Sequence, residues 1–395
     1  MPPLTLADVV DLLEGRYPPG TAEEWDAVGL VTGDPADAVE KVMLAVDPTL
    51  EVVSDALEWG ADLLVTHHPL YLRGTSTVAA TSPKGQVVQS LIRGGCALYT
   101  AHTNADAAAD GVAHALADLL GLVGTRPIEP LPGTALDTLA TFVPREHTQR
   151  LLDALAAAGA GRLGDYERAA FLSPGTGTFR PLPGARPAVG AVGVVEDVAE
   201  DRIEVVLPRA RRTAVLDALR GAHPYEEPAF TLVAQAAQDA ATGTGRIGLL
   251  PAPMTLRAFG ERVAAALPAT PQGIRIGGDL DAEVRTVAVC GGAGDSLLGQ
   301  VRRLGADVYL TADLRHHPAS EHLAGGRPYL VDATHWASEW PWLPRAAEVL
   351  RSDARARGVR LDLRVSSRVT DPWSLHLGQQ HSSEPGSTQN EGARP

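Results

Sequence analysis

Apolar positions along the first 120 residues switch between a helical and an extended period. Leu6–Leu13 repeats apolar residues three and four apart and predicts an amphipathic helix, while Val39–Val46 is a largely apolar run that predicts a strand. Leu50–Trp59 reads as a helix, and Asp62–Thr66 as a second strand that runs directly into His67-His68-Pro69. Lys84–Arg93 predicts a helix, Ala97–Ala101 a strand, and Ala107–Leu120 a helix closed by Gly121. Such strand–helix–strand alternation defines a layered α/β domain. Three prolines between Thr125 and Thr134 then break the pattern and read as a linker, and Ala236–Gly245 reads as a second loose stretch.

Between those stretches the pattern predicts strand Thr138–Val143, helix His147–Ala158 and strand Tyr166–Leu172. A Gly/Pro loop follows, then strands Ala188–Val195 and Arg202–Leu207, helix Arg211–Arg220 and strand Pro228–Val233. Allowing for one extra hairpin, this is the split βαβ order of a ferredoxin-like α+β module. The expected organisation is a first half of a core domain (1–124), an insert (136–235) and a second core half (245–371). A polar tail (372–395), low in apolar residues, is expected to be disordered.

The two core halves resemble each other. Shifted by 245 residues, Lys41-Val42 and Gly60-Ala61-Asp62-Leu63-Leu64-Val65-Thr66 fall on Thr286-Val287 and Gly305-Ala306-Asp307-Val308-Tyr309-Leu310-Thr311. Shifted by 233, His102-x-x-x-Asp106 falls on His335-x-x-x-Glu339, each after an apolar strand. The predicted fold is therefore α/β: a duplicated core of two related halves interrupted by the insert.

Composition narrows the function classes. The chain has 34 basic against 48 acidic residues, a net charge of −14, and no basic stripe, which makes nucleic acid a poor partner. Two cysteines, Cys96 and Cys290, cannot build a disulfide framework or a thiolate metal site. The first residues carry Asp8, Asp11 and Glu14 rather than a signal peptide, and no run approaches the roughly 18 apolar residues of a membrane span, so a cytoplasmic protein is expected.

Six of the twelve histidines fall in four short segments, while His114, His147, His322, His376 and His381 read as ordinary isolated residues. Thr66-His67-His68-Pro69, His102–Asp106, Asp313–His317 and His335–Glu339 all sit at strand ends, where open α/β sheets place ligands. A histidine and a carboxylate four apart share one helical face and make a natural ligand pair. Combined through the duplication, His67, His68, Asp106, His335 and Glu339 would surround a shared pair of divalent ions, with imidazole and carboxylate donors suited to Zn, Fe, Mn or Ni. His102 reads as a ligand, a helix cap or, preferably, an orienting neighbour of the ligands. His317 and Asp313 either face the site or belong to a solvated turn. Cys290-Gly-Gly-Ala-Gly-Asp-Ser296 reads equally as an anion cradle or a tight glycine turn, and Trp25–Leu30 as structural packing. His223-Pro-Tyr-Glu-Glu-Pro228 in the insert reads as an interface, a cavity mouth or a helix-ending turn.

Taken together, WDAVGL (25–30), THHPL (66–70), AHTNAD (101–106), GTGTFRP (175–181), HPYEEPAF (223–230), GRIG (245–248), VAVCGGAGDSLL (287–298), GADVYLTADL (305–314) and THWASEWP (334–341) resemble the Nif-three-like dinuclear-metal-centre proteins, the GTP cyclohydrolase 1 type 2 homologues. The resemblance implies two metals held by the same five residues, a homohexameric toroid, and a PII/CutA-like insert. Ala312 stands where the family often has Gly, and Ala170 where the insert often has Cys. The implied activity is metal-dependent hydrolysis of a nucleotide-like small molecule by a metal-bridging hydroxide, with His102 or His317 moving the proton. The alternative is a non-enzymatic metal carrier, sensor or assembly factor gated by the insert.

Overall fold

The apolar runs that end in histidine become central strands. A computed structural model describes residues 3–377, which separate into one unit formed by the residues up to Glu129 with those from Thr242 onward, and a second unit, Pro130–Ala241. In the first unit a five-stranded sheet has the order Asp362–Val365, Lys41–Ala45, Leu63–Thr66, Ala97–Thr100, Gly29–Thr32. Its first four strands are parallel and Gly29–Thr32 closes the edge antiparallel. All four residues of Leu63–Thr66 are buried because both sheet faces are covered, the usual condition of a parallel sheet. Leu63 and Val65 enter one core, while Leu64 packs against Val53, Val88 and Leu91 of the helices on the other face.

A six-stranded sheet in the same unit has the order Arg275–Gly277, Tyr329–Ala333, Val308–Ala312, Glu283–Ala293, Arg246–Thr255, Val123–Arg126. Its middle three strands are parallel and its flanking pairs antiparallel. Val289, Leu310 and Val331 share the core that holds Leu63 and Val65, so the two sheets face one hydrophobic layer. The two Gly-Ala-Asp segments do the same work in each sheet. Gly60 and Gly305 adopt left-handed backbone (φ 75° and 72°), which only glycine enters without a Cβ clash. Asp62 then accepts from the backbone N–H groups of Glu40 and Lys41 at 2.8 Å, and Asp307 from those of Arg285 and Thr286 at 2.9 and 2.8 Å. Each aspartate thereby pins its strand in register beside the preceding one.

The second unit runs strand–helix–strand–strand–helix–strand. Its antiparallel sheet has the order Ala170–Phe179, Glu196–Pro208, Leu136–Pro144, Phe230–Ala234. Helices Thr148–Ala157 and Arg212–Ala222 cover one face, with Leu151, Leu155, Val215 and Leu219 packed on Leu139, Val143, Ile203 and Val205.

Several local expectations need correction. Ala188–Val195 is not a strand: Gly190 and Gly193 take positive φ (82° and 88°), and the strand begins at Glu196. Its partner extends past Leu172 to Phe179, through residues expected to be loop; Pro174 is tolerated there because this is an edge strand. The two expected linkers contain strands Glu129–Pro132 and Asp239–Thr244, which pair with each other. The helix expected over Ala107–Leu120 splits into Thr103–Ala107 and Val112–Leu119. At the break, the Ala108 carbonyl accepts from Arg246 Nη2 (2.6 Å), a buried guanidinium far away in sequence, rather than continuing the helical ladder. Of the expected tail, 372–377 has no helix or strand, and 378–395 lies outside the described residues. Among the described residues, no helix is long and apolar enough to cross a membrane.

Candidate metal centre

His67 and His68 extend the ladder of the strand before them. Their backbone N–H groups donate to Ala45 (3.1 Å) and Val46 (2.8 Å), which fixes both histidines at the carboxyl edge of the sheet. His335 opens the short helix His335–Glu339, which places Glu339 one turn further along, with its side chain 4% exposed. Asp106 sits likewise in the short helix Thr103–Ala107, one turn after His102.

The side chains converge. His67 Nε2 lies 3.5 Å from Glu339 Oε1 and 3.8 Å from Asp106 Oδ1, and His68 Nε2 lies 3.1 Å from Glu339 Oε2. His335 Nε2 is 2.9 Å from Glu339 Oε1 and 3.2 Å from His68 Nε2. Every Nδ1 is already committed: that of His67 to the Ala101 carbonyl (3.0 Å), that of His68 to Asp47 Oδ1 (2.7 Å), and that of His335 to Asp313 Oδ2 (2.6 Å). An imidazole that donates through Nδ1 carries its lone pair on Nε2. Three Nε2 atoms therefore converge on one carboxylate, an arrangement that needs positive charge between them, from protons or from metal cations that replace them.

Two further observations test whether a metal fits. Among the described residues, His67 Nε2 and Glu339 Oε2 are buried without a hydrogen bond of good geometry, the 3.1 Å approach of His68 Nε2 being an ionic contact only, as expected of groups that can take an ion. Gly292, at φ 66°, leaves open the space that a Cβ would fill 2.4 Å from Glu339 Oε1 and 3.1 Å from His335 Nε2. Its N–H donates to Ser338 Oγ (2.9 Å), which holds the glycine turn against the site. The residues fit a metal, and the imidazole–carboxylate–carbonyl anchoring at Nδ1 is the usual support of histidine ligands.

Electrostatics agree with the geometry. Burial lowers the pKa of His68, but the charge of Glu339 and the contact with Asp47 overcome it and raise the value to about 10. The same balance of burial, Glu339 and Asp313 raises His335 to about 11. Glu339 is pushed up by burial, yet the facing histidines hold it well below the usual carboxylate range. Burial raises Asp106 to about 6, with His67 opposing. A cluster that gathers protons so strongly is one that presents negative potential to any cation.

His102 also reaches the cluster. Its ligating atom lies within 4.8 Å of those of His67 and His68, while those of His68, His335 and Glu339 form a second such group. Its Nδ1 is held by Asp26 Oδ1 (2.8 Å), and Asp26 Oδ2 takes the Thr103 N–H (3.0 Å) and hydroxyl (2.5 Å). Asp26, read from sequence as packing, is thus the orienting group of His102. Asp47 was missed altogether; its only signal was its place just beyond an apolar strand. Asp313, one of two non-glycine residues at positive φ (57°) among the described residues, aims its carboxylate at His335. His317 is not brought in: it is exposed at the start of helix His316–Ala324, its ring 5.1 Å from that of His316. The 290–296 segment serves as a close-approach glycine turn around Glu339.

These features define a class: a mixed α/β protein with several sheets, in which strand ends gather a buried histidine–carboxylate cluster that could hold metal. The chain belongs to the Duf34/NIF3 (NGG1p interacting factor 3) family, whose pattern matches residues 4–372. It is 52% identical over 371 residues to a Mycobacterium tuberculosis protein called GTP cyclohydrolase 1 type 2 homolog, covering 94% of this chain and 97% of that one. A Streptomyces coelicolor protein of the same name is 38% identical over 372 residues, covering 94% of each. Among solved structures, a Bacillus cereus protein related to NIF3 is 34% identical with a TM-score of 0.74, covering 94% of this chain and 99% of that one. A Staphylococcus aureus protein reaches a TM-score of 0.81 at 28% identity, covering 95% and 100%.

Proposed function

We propose that the cluster is a dinuclear metal centre held by His67, His68, Asp106, His335 and Glu339, and that it serves hydrolysis of a nucleotide-like small molecule. The observation that carries this reading is the 3.2 Å approach of His68 Nε2 to His335 Nε2 above the Glu339 carboxylate, with both Nδ1 atoms already bonded. His68 belongs to both candidate ligand groups, which supports two neighbouring positions rather than one. Two adjacent divalent ions would polarise a substrate oxygen and make water a nucleophile near neutral pH.

The chain's own residues supply the rest. Asp26 holds His102 in the tautomer that leaves Nε2 free, and burial, aided by His67, keeps its pKa below the ordinary histidine value. His102 Nε2 is then a neutral base that takes a proton from attacking water and returns it to the leaving group. Asp47 and Asp313 hold His68 and His335 in position. We read the matched strand orders and Gly-Ala-Asp hydrogen bonds of the two sheets as a duplicated core, and residues 136–235 as its ferredoxin-like insert.

One observation favours a second reading, a metal carrier or sensor. His335 is 33% exposed and its partner Asp313 55%, so the site has a side open to ligand exchange. The experiment is elemental analysis of the wild type, His68→Ala and Glu339→Ala, followed by incubation of metal-loaded protein with GTP and other nucleotides. Two ions per chain, with turnover abolished in Glu339→Ala, is the expected result. Two ions without turnover of any nucleotide would favour the carrier. Full metal content in both variants would overturn the ligand set.

A further inference from the structure

The second unit contains a cavity that the metal centre does not use. Helices cover the sheet face that bears Leu139, Val143, Ile203 and Val205. Side chains alternate across a strand, so Phe142, Glu200 and Arg202 stand on the opposite face. There they line a cavity of about 680 Å³, within the range of small-molecule sites.

Glu200 dominates its chemistry. The residue is 7% exposed, and one oxygen, Oε1, accepts from the Tyr225 hydroxyl at 2.7 Å. Among the described residues, Oε2 receives no hydrogen bond from the protein. A Cβ on Gly177 would lie 2.1 Å from Oε2, so glycine leaves the room that the carboxylate occupies. A carboxylate with one neutral donor keeps its second oxygen available to a cation or a strong donor that enters the cavity.

The walls around it are aromatic. Phe179 packs edge-on against Tyr225, with ring centroids 5.6 Å apart, and Phe142 adds a third ring to the lining. The Tyr225 ring is held from behind by buried His223, whose Nδ1 accepts the Tyr225 N–H (3.1 Å) and whose Nε2 donates to the Phe142 carbonyl (2.9 Å). Burial pushes the His223 pKa down, which keeps the ring neutral and both bonds intact at pH 7. Rings plus a carboxylate with an oxygen facing the cavity are the elements that recognise an organic cation.

Two arginines also touch the lining, so an anion is the competing occupant. Arg202 is already paired with Glu204 at 2.5 Å, whereas Glu200, Glu226 and Glu227 leave the lining with more acidic than basic groups. We propose that this cavity binds a small organic cation, a protonated amine on an apolar or aromatic body, with the ammonium on Glu200 and the body against Tyr225 and Phe179.

The site lies wholly within the second unit, and its test is independent of the metal centre. Full-length protein would be titrated calorimetrically with benzylammonium, with its neutral isostere benzyl alcohol, and with benzoate. Benzylammonium is expected to bind in preference to both. Glu200→Gln keeps the shape and the Tyr225 contact but removes the charge, and is expected to weaken it about tenfold or more, with metal content unchanged. Gly177→Ala, which displaces the carboxylate, is expected to act in the same direction. Absence of benzylammonium binding, as when another copy of the chain covers this face, would overturn the proposal. So would a preference for benzoate, or affinity indifferent to Glu200→Gln.

Discussion

Gly292→Ala tests the site through its backbone rather than through a ligand. The residue sits at φ 66°, where an L side chain costs about 1–2 kcal/mol. Its Cβ would lie 2.4 Å from Glu339 Oε1 and 3.1 Å from His335 Nε2. Neither neighbour gives way freely, since Glu339 is 4% exposed and faces three imidazoles, and overpacking of this kind typically costs a further ~1–3 kcal/mol. The total, about 2–5 kcal/mol, should divide into a backbone share and a collision share. Gly305→Ala isolates the first, because Gly305 has nearly the same φ (72°) and nothing within 4 Å of its Cβ position. Gly305→Ala should therefore lose only the backbone share, about 1–2 kcal/mol, in urea unfolding. Gly292→Ala alone should lose more and should bind metal at least about tenfold more weakly in chelator competition. Equal metal affinity in Gly292→Ala and wild type would refute the placement of an ion against Glu339.

Other consequences are as direct. Asp47→Asn and Asp313→Asn each remove the charge behind one histidine and should lower metal affinity about 10–100-fold without unfolding the chain, as read by chelator competition and circular dichroism. In the second unit, burial raises the Asp137 carboxyl, but Arg212 and Arg209 overcome it and hold its pKa below the ordinary value. Its stabilising contribution is therefore present above the unfolded value of about 3.9 and is lost as pH falls through the lower folded value. Thermal unfolding between neutral pH and pH ~3 should fall less steeply in Asp137→Asn than in wild type; parallel curves would contradict this. Light scattering is expected to give the mass of a homohexamer, and a monomer would remove that expectation.

Much of the candidate metal centre is readable along the chain because its elements are short in range. His102-x-x-x-Asp106 and His335-x-x-x-Glu339 are one helical turn each, and Thr66-His67-His68 is a strand running out at a sheet edge. Their supports were not readable. Asp47 reaches His68 across 21 residues, and Asp26 reaches His102 across 76. Each is a contact between adjoining strand ends or loops, and no local period records it. The same reason accounts for the helix broken at Ala108, where Arg246 takes a carbonyl across 138 residues.

The sequence by itself determined the strands that run into the histidines, which residue types can bind a cation, and that a Gly-Ala-Asp segment precedes two of the apolar strands. Local steric preference and hydrophobic period are enough for these, since both act within a few residues. Only the tertiary structure decided which nitrogen of each histidine faces the cluster. That depends on the acceptor facing Nδ1, and the acceptor arrives from another part of the chain. It also decided that Asp313 serves the cluster while His317 faces solvent, and that Glu200 is buried beneath an aromatic wall. Burial and direction are properties of the packed sheet, because the cost of hiding a charge is set by everything that surrounds it.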